Sequence, residues 1–288
     1  MTHAWREIIV KLLSICFLIL FTLLLPHQTL SNEYKWLAGA ESTRSIADNI
    51  EPPEGYERIK TAPDSFADWL RHLPLKPQGS PVLLFDRREK RNQGAHFAVL
   101  DIDIGTRDLQ QCADAVIRLR AEYLYSTGKL DEIVFRFTSG HESSFNQWAR
   151  GDRPVVDANN VIWQRNARSD SSYDNFRKYL SSLFVYAGSY SLNRELIKRE
   201  DINDIEIGDV FIRGGFPGHA VIIVDMARND ITEDKIFIIA QSYMPAQDIH
   251  ILNNPQDSVL SPWYCLPAGD TIHTPEWIFL QGELRSFR

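Results

Sequence analysis

The sequence lacks the short motifs that mark metal, nucleotide and redox enzymes. It contains no Cys-x-x-Cys pair, no His-Glu-x-x-His, no P-loop and no dinucleotide-binding glycine pattern. Its histidines also lack the spacing of metal ligands. These absences argue against metal-dependent and nucleotide-dependent chemistry, so we expect neither a metal site nor a cofactor.

Positive charge is scarce as well. Lysine and arginine total 31 against 38 aspartates and glutamates, the net charge is −7, and no basic run interrupts this balance. A nucleic-acid partner is therefore not expected. No internal repeat or low-complexity segment occurs, and 44% hydrophobic with 24% charged residues is an ordinary globular composition. We therefore expect one main domain.

The N-terminus has the layout of an export signal. Arg6 and Lys11 precede the apolar run Leu12–Leu25, and a polar stretch follows up to Ser31. Residues 1–31 are therefore predicted to be a signal peptide, or an uncleaved inner-membrane anchor because the apolar segment approaches spanning length. We expect an exported protein, either periplasmic or anchored to the inner membrane and facing the periplasm, with no other membrane contact.

A polar tether is predicted after this segment. Residues 32–55 are mixed and polar and end near the prolines at 52 and 53. Residues 56–288 are then expected to form a single α+β domain with an inserted subdomain at about 138–170.

Only three cysteines are present, and one of them, Cys16, lies in the apolar N-terminal run. Cleavage would leave Cys112 and Cys265. In an oxidising periplasm, the structural interpretation of two such cysteines is a disulfide.

Cys112 lies in the first turn of a predicted helix. Asp108 and Gln111 have the spacing of a capping box, and the residues after them repeat at helical intervals. The unpaired amides of a first helical turn favour a thiolate, which suits a nucleophile. The same spacing places Cys112 on the apolar stripe of the helix, where cysteine serves as a small core residue. Both interpretations stay open.

A hairpin at 207–224 is the second informative stretch. Two apolar strands flank a turn rich in glycine, and His219 opens the second strand. A histidine held by a buried strand beside a groove suits a general base, although it could also only complete a polar strand end. If the strand at 235–242 pairs with it, partner numbers sum to about 460, and Gln241 or one of its immediate neighbours faces His219. Asp225 is the alternative partner.

The inserted segment carries Trp148, Arg150 and Trp163. Tryptophans beside arginines can line a groove for a glycan or a peptide. They can equally pack an irregular subdomain.

These elements resemble the papain-like superfamily, in particular its NlpC-type peptidases and CHAP domains of the bacterial cell wall. In those families a cysteine heads a helix, Gly-Asp begins a strand and Gly-His begins the next strand. The matching residues here are Cys112, Gly208-Asp209 and Gly218-His219. The strings DLQQCADAVIRLRAEYL, GDVFIRGGFPGHAVIIVDMA and AQSYMPAQDIHIL also resemble an exported bacterial family of unknown function.

The resemblance implies an α+β, papain-like fold in which the cysteine-bearing helix packs on an antiparallel sheet. It further implies that Cys112 is the nucleophile, His219 the base and Gln241 the orienting residue of a thiol hydrolase. Gln110 or Gln111 could donate to the oxyanion together with the Cys112 backbone amide. The expected substrate is an amide or peptide bond in peptidoglycan or an envelope peptide, and such an enzyme needs no cofactor.

A different class of protein is the alternative. A catalytically inactive papain-like protein could bind the cell envelope through Trp148, Arg150 and Trp163, with a structural Cys112–Cys265 disulfide. The state of the two cysteines distinguishes the alternatives.

Overall fold

The computed structural model describes residues 34–37, 44–266 and 269–288. The predicted signal or anchor segment, residues 1–31, lies outside the described residues. Among the residues that are described, no helix combines the length and the apolar character needed to cross a membrane.

Six α-helices and five short 3-10 helices occur within the described residues. The α-helices are α1 Ile46–Asn49, α2 Phe66–Arg71, α3 Cys112–Ser126, α4 Phe145–Ala149, α5 Tyr173–Tyr186 and α6 Ser189–Glu195. The 3-10 helices are Lys35–Leu37, Gln93–Ala95, Leu130–Glu132, Ile202–Asp204 and Gln281–Glu283. Serines cap three of the α-helices, because Ser45, Ser65 and Ser172 each accept a backbone N–H from the first turn.

The strands are short except at the centre of the fold. They are β1 Glu57–Arg58, β2 His96–Val99, β3 Val134–Arg136, β4 Glu142–Ser144, β5 Asp152–Asp157, β6 Asn160–Arg165, β7 Ile197–Lys198, β8 Val210–Arg213, β9 His219–Arg228, β10 Lys235–Gln241, β11 His250–Leu252, β12 Trp263–Cys265, β13 Thr271–His273, β14 Ile278–Leu280 and β15 Leu284–Ser286.

One large antiparallel sheet organises these strands. Its order is β2-β11-β10-β9-β8-β15-β7, with β1 paired to the far end of β9 and β12 paired to β10. Three separate hairpins, β3–β4, β5–β6 and β13–β14, complete the strand pairing. The architecture is thus α+β with a large antiparallel sheet.

The central strands β9 and β10 are apolar on both faces because both faces of the sheet are covered. Ala220 and Ile222 face the larger core, which contains α3, whereas Val221 and Ile223 face a second core that includes Phe279. Strands buried on both sides need continuous apolar sequence, and this is what the runs in β9 and β10 provide.

The two central strands pair as expected, but not in the expected register. Ile223 lies opposite Ile239 and Ile222 opposite Ala240, a shift of two residues from the predicted pairing, with a bulge next to Ile238. The shift places Gln241 diagonally from His219, which is still within reach of long side chains.

Helix α3 begins later than its predicted cap. Its N-cap is Gln111 rather than Asp108, and Cys112 is its first residue. The predicted capping box is therefore wrong. The physical reason is that the Asp108 carboxylate is used elsewhere: Oδ1 accepts the Ala246 backbone N–H at 2.7 Å and the Gln111 side-chain amide at 3.0 Å. The Asp108 carboxylate thus links the start of α3 to the turn after β10 through these two hydrogen bonds.

The predicted tether is wrong for the part of it that is described. Ile46 and Ile50 are fully buried in the main core, and the Tyr34 hydroxyl donates to the Trp69 carbonyl at 2.8 Å. These apolar side chains pack against α2, so the segment belongs to the compact unit 34–288.

A buried ion-pair cluster holds this N-terminal segment to the centre of the sheet. Asp225 on β9 is fully buried, and its two carboxylate oxygens accept from Arg58 Nε at 2.9 Å and Arg71 Nε at 2.6 Å. This network occupies Asp225, which was the alternative partner for His219. Asp225 therefore belongs to the structural framework.

We expect Asp225→Ala to destabilise the protein by about 3–5 kcal/mol, because it leaves two guanidinium groups without their carboxylate. Urea unfolding followed by circular dichroism measures this. The control is Asp230→Ala in the exposed turn after β9, which should change the unfolding free energy by less than about 0.5 kcal/mol. Equal effects of the two substitutions would contradict the structural importance of the cluster.

Candidate functional site

The three residues predicted to form a site meet at one end of the sheet. Cys112 opens α3, His219 opens β9 and Gln241 ends β10, and they are exposed by only 6%, 1% and 1%. The backbone amide of Ala220, the residue after His219, points at the Cys112 thiol. The described residues contain no hydrogen bond between the thiol and the imidazole. The structure thus brings the three side chains into one closed cluster.

A chain of hydrogen bonds that begins at a backbone carbonyl orients this cluster. His250 Nδ1 lies 2.8 Å from the Asp248 carbonyl oxygen. Since a carbonyl can only accept, Nδ1 carries the proton and His250 Nε2 carries a lone pair. That lone pair faces the Gln241 side-chain nitrogen at 3.3 Å and the Lys90 ammonium at 3.5 Å, and both of these are donors.

The orientation of the Gln241 amide follows from its neighbours. Its nitrogen donates to Glu276 Oε2 at 2.9 Å and faces the His250 lone pair. Its oxygen must therefore face His219 Nε2, which lies 2.8 Å away and donates to it. His219 is consequently protonated on Nε2 and carries its lone pair on Nδ1. A lone pair on Nδ1 is what a general base requires.

An ion pair holds the carboxylate that positions Gln241. Lys90 Nζ lies 2.5 Å from Glu276 Oε2, and the two side chains are exposed by only 6% and 14%. The Asn92 amide donates to the other carboxylate oxygen at 3.3 Å. Because Lys90 and Glu276 neutralise each other, the pair adds little net charge to the cluster around Gln241.

Three aromatic rings enclose the His219 imidazole. Ring centroids of Tyr243, Trp277 and Phe279 lie 4.8, 5.3 and 5.7 Å from it, and the Phe279 ring is within 18° of parallel. Burial by these rings lowers the pKa of His219 to about 4, with the Lys90 charge acting in the same direction and the Gln241 hydrogen bond opposing it. The imidazole is neutral at pH 7.

The thiol is neutral as well. Burial raises the pKa of Cys112 to about 11, and the nearby Asp114 acts in the same direction. The backbone amides of Ala220, Ala113 and Cys112 lower the pKa but do not compensate for burial. The expectation of a thiolate favoured by the helix N-terminus is therefore wrong for this closed state, because desolvation outweighs the helix end.

The two glutamines before Cys112 differ in their availability. Gln111 is occupied, since its side-chain amide donates to Asp108. Gln110 is 2% exposed, and its oxygen accepts from Arg118 at 2.7 Å. Its side-chain nitrogen has no hydrogen-bond partner among the residues that the structure describes. Of the two oxyanion candidates, Gln110 has the unused donor.

The predicted Cys112–Cys265 disulfide is wrong. Both cysteines are free, Cys112 buried and Cys265 exposed on β12. Cys265 on β12 pairs with Ile236 on β10, and Ile236 pairs with Ala227 on β9. Ala227 is seven residues along β9 from Ala220, the residue whose amide contacts the Cys112 thiol. At about 3.3 Å per residue this is a separation on the order of 20 Å. A disulfide requires Cα atoms within about 7 Å.

The predicted groove does not lie beside Cys112. Trp148 is buried, donates to Asn175 Oδ1 at 3.0 Å and is covered by Arg153, whose guanidinium lies 3.8 Å from the ring centre. Trp163 stacks near Phe137, with 6.4 Å between centroids. Arg150 is exposed at the end of α4.

These residues belong to a packed subdomain of α4 and the β5–β6 hairpin. It contacts α5, where Trp148 donates to Asn175, and α3, where the Tyr125 ring lies 5.9 Å from that of Phe145. Tyr125 is 13 residues from Cys112, which corresponds to about 20 Å along a helix. The prediction that Trp148 lines a groove is wrong because its ring is enclosed by its neighbours.

Sequence reasoning missed the residues that position Gln241. His250 had a detectable signal, because it lies directly opposite Gln241 in the β10–β11 pair. No sequence pattern pointed to Lys90 or Glu276, because these residues lie in loops far apart in the chain and come together only in the folded structure. Within the described part of the chain, no cluster of three or more histidine, cysteine or acidic side chains could hold a metal ion.

Fold and site together define an α+β protein whose cysteine, histidine and glutamine meet at one end of a large antiparallel sheet. The family described as "Domain of unknown function (4846)" matches residues 46–286, and the chain belongs to this family. Comparison with curated proteins and with solved structures found no match.

Burial of His219 should make folding stability depend on pH. Below its ordinary pKa of 6.5 the unfolded chain binds a proton at this histidine, whereas the folded protein does so only near pH 4. Stability is therefore lost as the pH falls through this window. We expect His219→Gln, which retains a donor for Gln241, to reduce the pH slope of the unfolding free energy by about 1 kcal/mol per pH unit near pH 5.

Urea unfolding between pH 4.5 and 7.5 measures this slope. The same replacement at the exposed His141 is the matched control. An unchanged slope in His219→Gln would show that the folded protein takes up this proton as readily as the unfolded chain does.

Proposed function

We propose that this protein is an exported thiol hydrolase of papain-like build that cleaves an amide or peptide bond, with peptidoglycan or an envelope peptide as its substrate. One observation carries the proposal. The hydrogen-bond chain through His250 and Gln241 leaves the lone pair of His219 on Nδ1, next to a strand amide that points at the Cys112 thiol. On this basis we assign the role of base to His219 and the role of nucleophile to Cys112.

The neutral resting state determines how the reaction starts. As the Cys112 sulfur attacks the carbonyl carbon, its proton passes to His219 Nδ1, so thiolate and imidazolium arise only during the attack. Gln241 accepts from His219 Nε2 throughout, and this hydrogen bond strengthens once the ring is charged.

The tetrahedral intermediate needs donors for its oxyanion. The backbone N–H of Cys112 belongs to the first turn of α3, where amides have no partner within the helix. The side-chain nitrogen of Gln110 is the second donor that we assign to this role. Collapse of the intermediate releases the amine, which takes the proton from His219. Water, activated by the same imidazole, then hydrolyses the thioester.

Tyr243 marks the side from which the substrate approaches. Its ring is half-buried, as is that of Trp277, and the charge of a Cys112 thiolate would act on the Tyr243 hydroxyl. The neighbouring Met244 is 47% exposed. Movement of the turn at 243–245 would open the cluster without disturbing the sheet.

The substrate class is supported by location and resemblance. The apolar N-terminal run with its basic flank is typical of export, and the similarity of the Cys112 and His219 segments is to cell-wall hydrolases. In an exported protein, stem peptides and their amide links are accessible to such a site. The protein would be periplasmic, or held to the inner membrane by residues 1–31.

The alternative is an inactive papain-like protein that binds the envelope. The observation that favours it is closure of the site, because Cys112 and His219 are both buried and the thiol pKa is raised. It no longer includes a disulfide, since Cys265 lies at the other end of the sheet.

The decisive experiment compares Cys112→Ala with Cys265→Ala in the purified full chain. New amino groups released from purified peptidoglycan sacculi report hydrolysis. We expect Cys112→Ala to lower the rate by at least about 10³-fold and Cys265→Ala to leave it unchanged, because Cys112 is the proposed nucleophile and Cys265 lies at the other end of β10. Circular dichroism verifies that both variants fold.

Full activity of Cys112→Ala would contradict the assignment of the nucleophile. If the parent protein cleaves no bond but sediments with sacculi, and Cys112→Ala sediments equally, the binding alternative is correct.

A further inference from the structure

A second cavity lies away from the Cys112 cluster. Its volume is about 400 Å³, and it is enclosed by α3, α6, the β3–β4 hairpin and the C-terminal residues. Apolar walls come from Leu124, Phe135, Leu192 and Phe287. None of Cys112, His219 or Gln241 lines it. A cavity of this size with a few polar groups on apolar walls has the character of a small-molecule site.

Arg120 of α3 provides a cation without an acceptor at this cavity. Its guanidinium lies 5.0, 5.6 and 5.3 Å from the ring centres of Phe66, Tyr123 and Phe287. Within the described ranges, no carboxylate or carbonyl accepts a hydrogen bond from it. Burial lowers its pKa, and the charges of Tyr123 and Glu132 only partly oppose this. A guanidinium in such surroundings is stabilised by an anion.

The other charged groups of the cavity are largely engaged with their neighbours. Arg136 pairs with Glu142 at 2.7 Å, and Arg194 donates to the Tyr190 hydroxyl at 3.1 Å. Glu132 attracts Arg120 but makes no hydrogen bond with it. Among the described residues, Arg120 and the C-terminal Arg288 line this cavity without an ion pair.

Glu195 at the end of α6 is the second polar group. Its Oε1 accepts the Arg136 backbone N–H at 2.8 Å. Burial raises the pKa of Glu195 to about 7; Glu142 raises it further, whereas Arg136 and Arg288 lower it. Near neutral pH this carboxyl therefore changes between a hydrogen-bond donor and an anion.

We infer that this cavity, which Arg120 and Glu195 both line, binds a small carboxylate with an apolar body, whose carboxylate group pairs with Arg120 and whose body packs against the apolar walls. The inference does not depend on the chemistry at Cys112. Binding is coupled to the proton on Glu195, because the protonated carboxyl donates to the ligand and the ionised carboxyl repels it.

Octanoate is a suitable probe, since it combines a carboxylate with an apolar chain. Isothermal titration of the full chain should detect binding at pH 6 and about tenfold weaker binding at pH 8, following the protonated fraction of a group with a pKa of about 7. Arg120→Gln should abolish binding. Glu195→Gln, which keeps a donor at every pH, should bind with equal affinity at pH 6 and pH 8.

Octylammonium is the matched ligand of opposite charge and should not bind. Cys112→Ala should bind octanoate as the parent does. The inference is overturned if octanoate fails to bind, if octylammonium binds more tightly, or if Glu195→Gln keeps the tenfold pH dependence. It is also overturned if both Arg120→Gln and Glu195→Gln bind like the parent, which would indicate adsorption to the apolar N-terminal run. The result for Glu195→Gln decides the question even if Arg120→Gln does not fold.

Discussion

The hydrogen bond from His219 Nε2 to Gln241 Oε1, 2.8 Å long, determines which ring nitrogen of His219 carries a lone pair. His219 must be the donor in this hydrogen bond. The Asp248 carbonyl fixes the proton of His250 on Nδ1, and His250 in turn fixes the orientation of the Gln241 amide. Reversal of any one of these groups would place a proton on Nδ1 of His219 and remove its lone pair there. A backbone carbonyl, which cannot change its role, thus fixes the tautomer of the proposed base.

In the Cys112 cluster, burial and the helix-end amides have opposite effects on the pKa of the thiol. The amides at the start of α3 favour a thiolate on Cys112, yet desolvation holds the thiol and the His219 imidazole neutral. The ion pair of Lys90 and Glu276 positions Gln241 while adding little net charge. The structure therefore describes a closed cluster in which thiol and imidazole are both neutral, rather than a preformed thiolate–imidazolium pair.

Local signals made part of this arrangement predictable. The apolar runs and the glycine turn predicted β8, β9 and β10, and helical spacing predicted α3 with Cys112 in its first turn. Gln241 was predicted from a register that is shifted by two residues, and its long side chain covers the difference. The remaining features depend on contacts between distant segments. Lys90 and Glu276 are 186 positions apart, and the enclosure of Trp148 comes from a helix that follows it in the chain.

The central claim is that His219 is neutral at pH 7 with its proton on Nε2, and nitrogen NMR of the ¹⁵N-histidine-labelled protein tests it most directly. The signals of His219 are assigned by their loss in His219→Gln. The account predicts a protonated Nε2 and an unprotonated Nδ1 at pH 7, unchanged down to about pH 5 because burial lowers the pKa to about 4. A proton on Nδ1, or an imidazolium at pH 7, would contradict it.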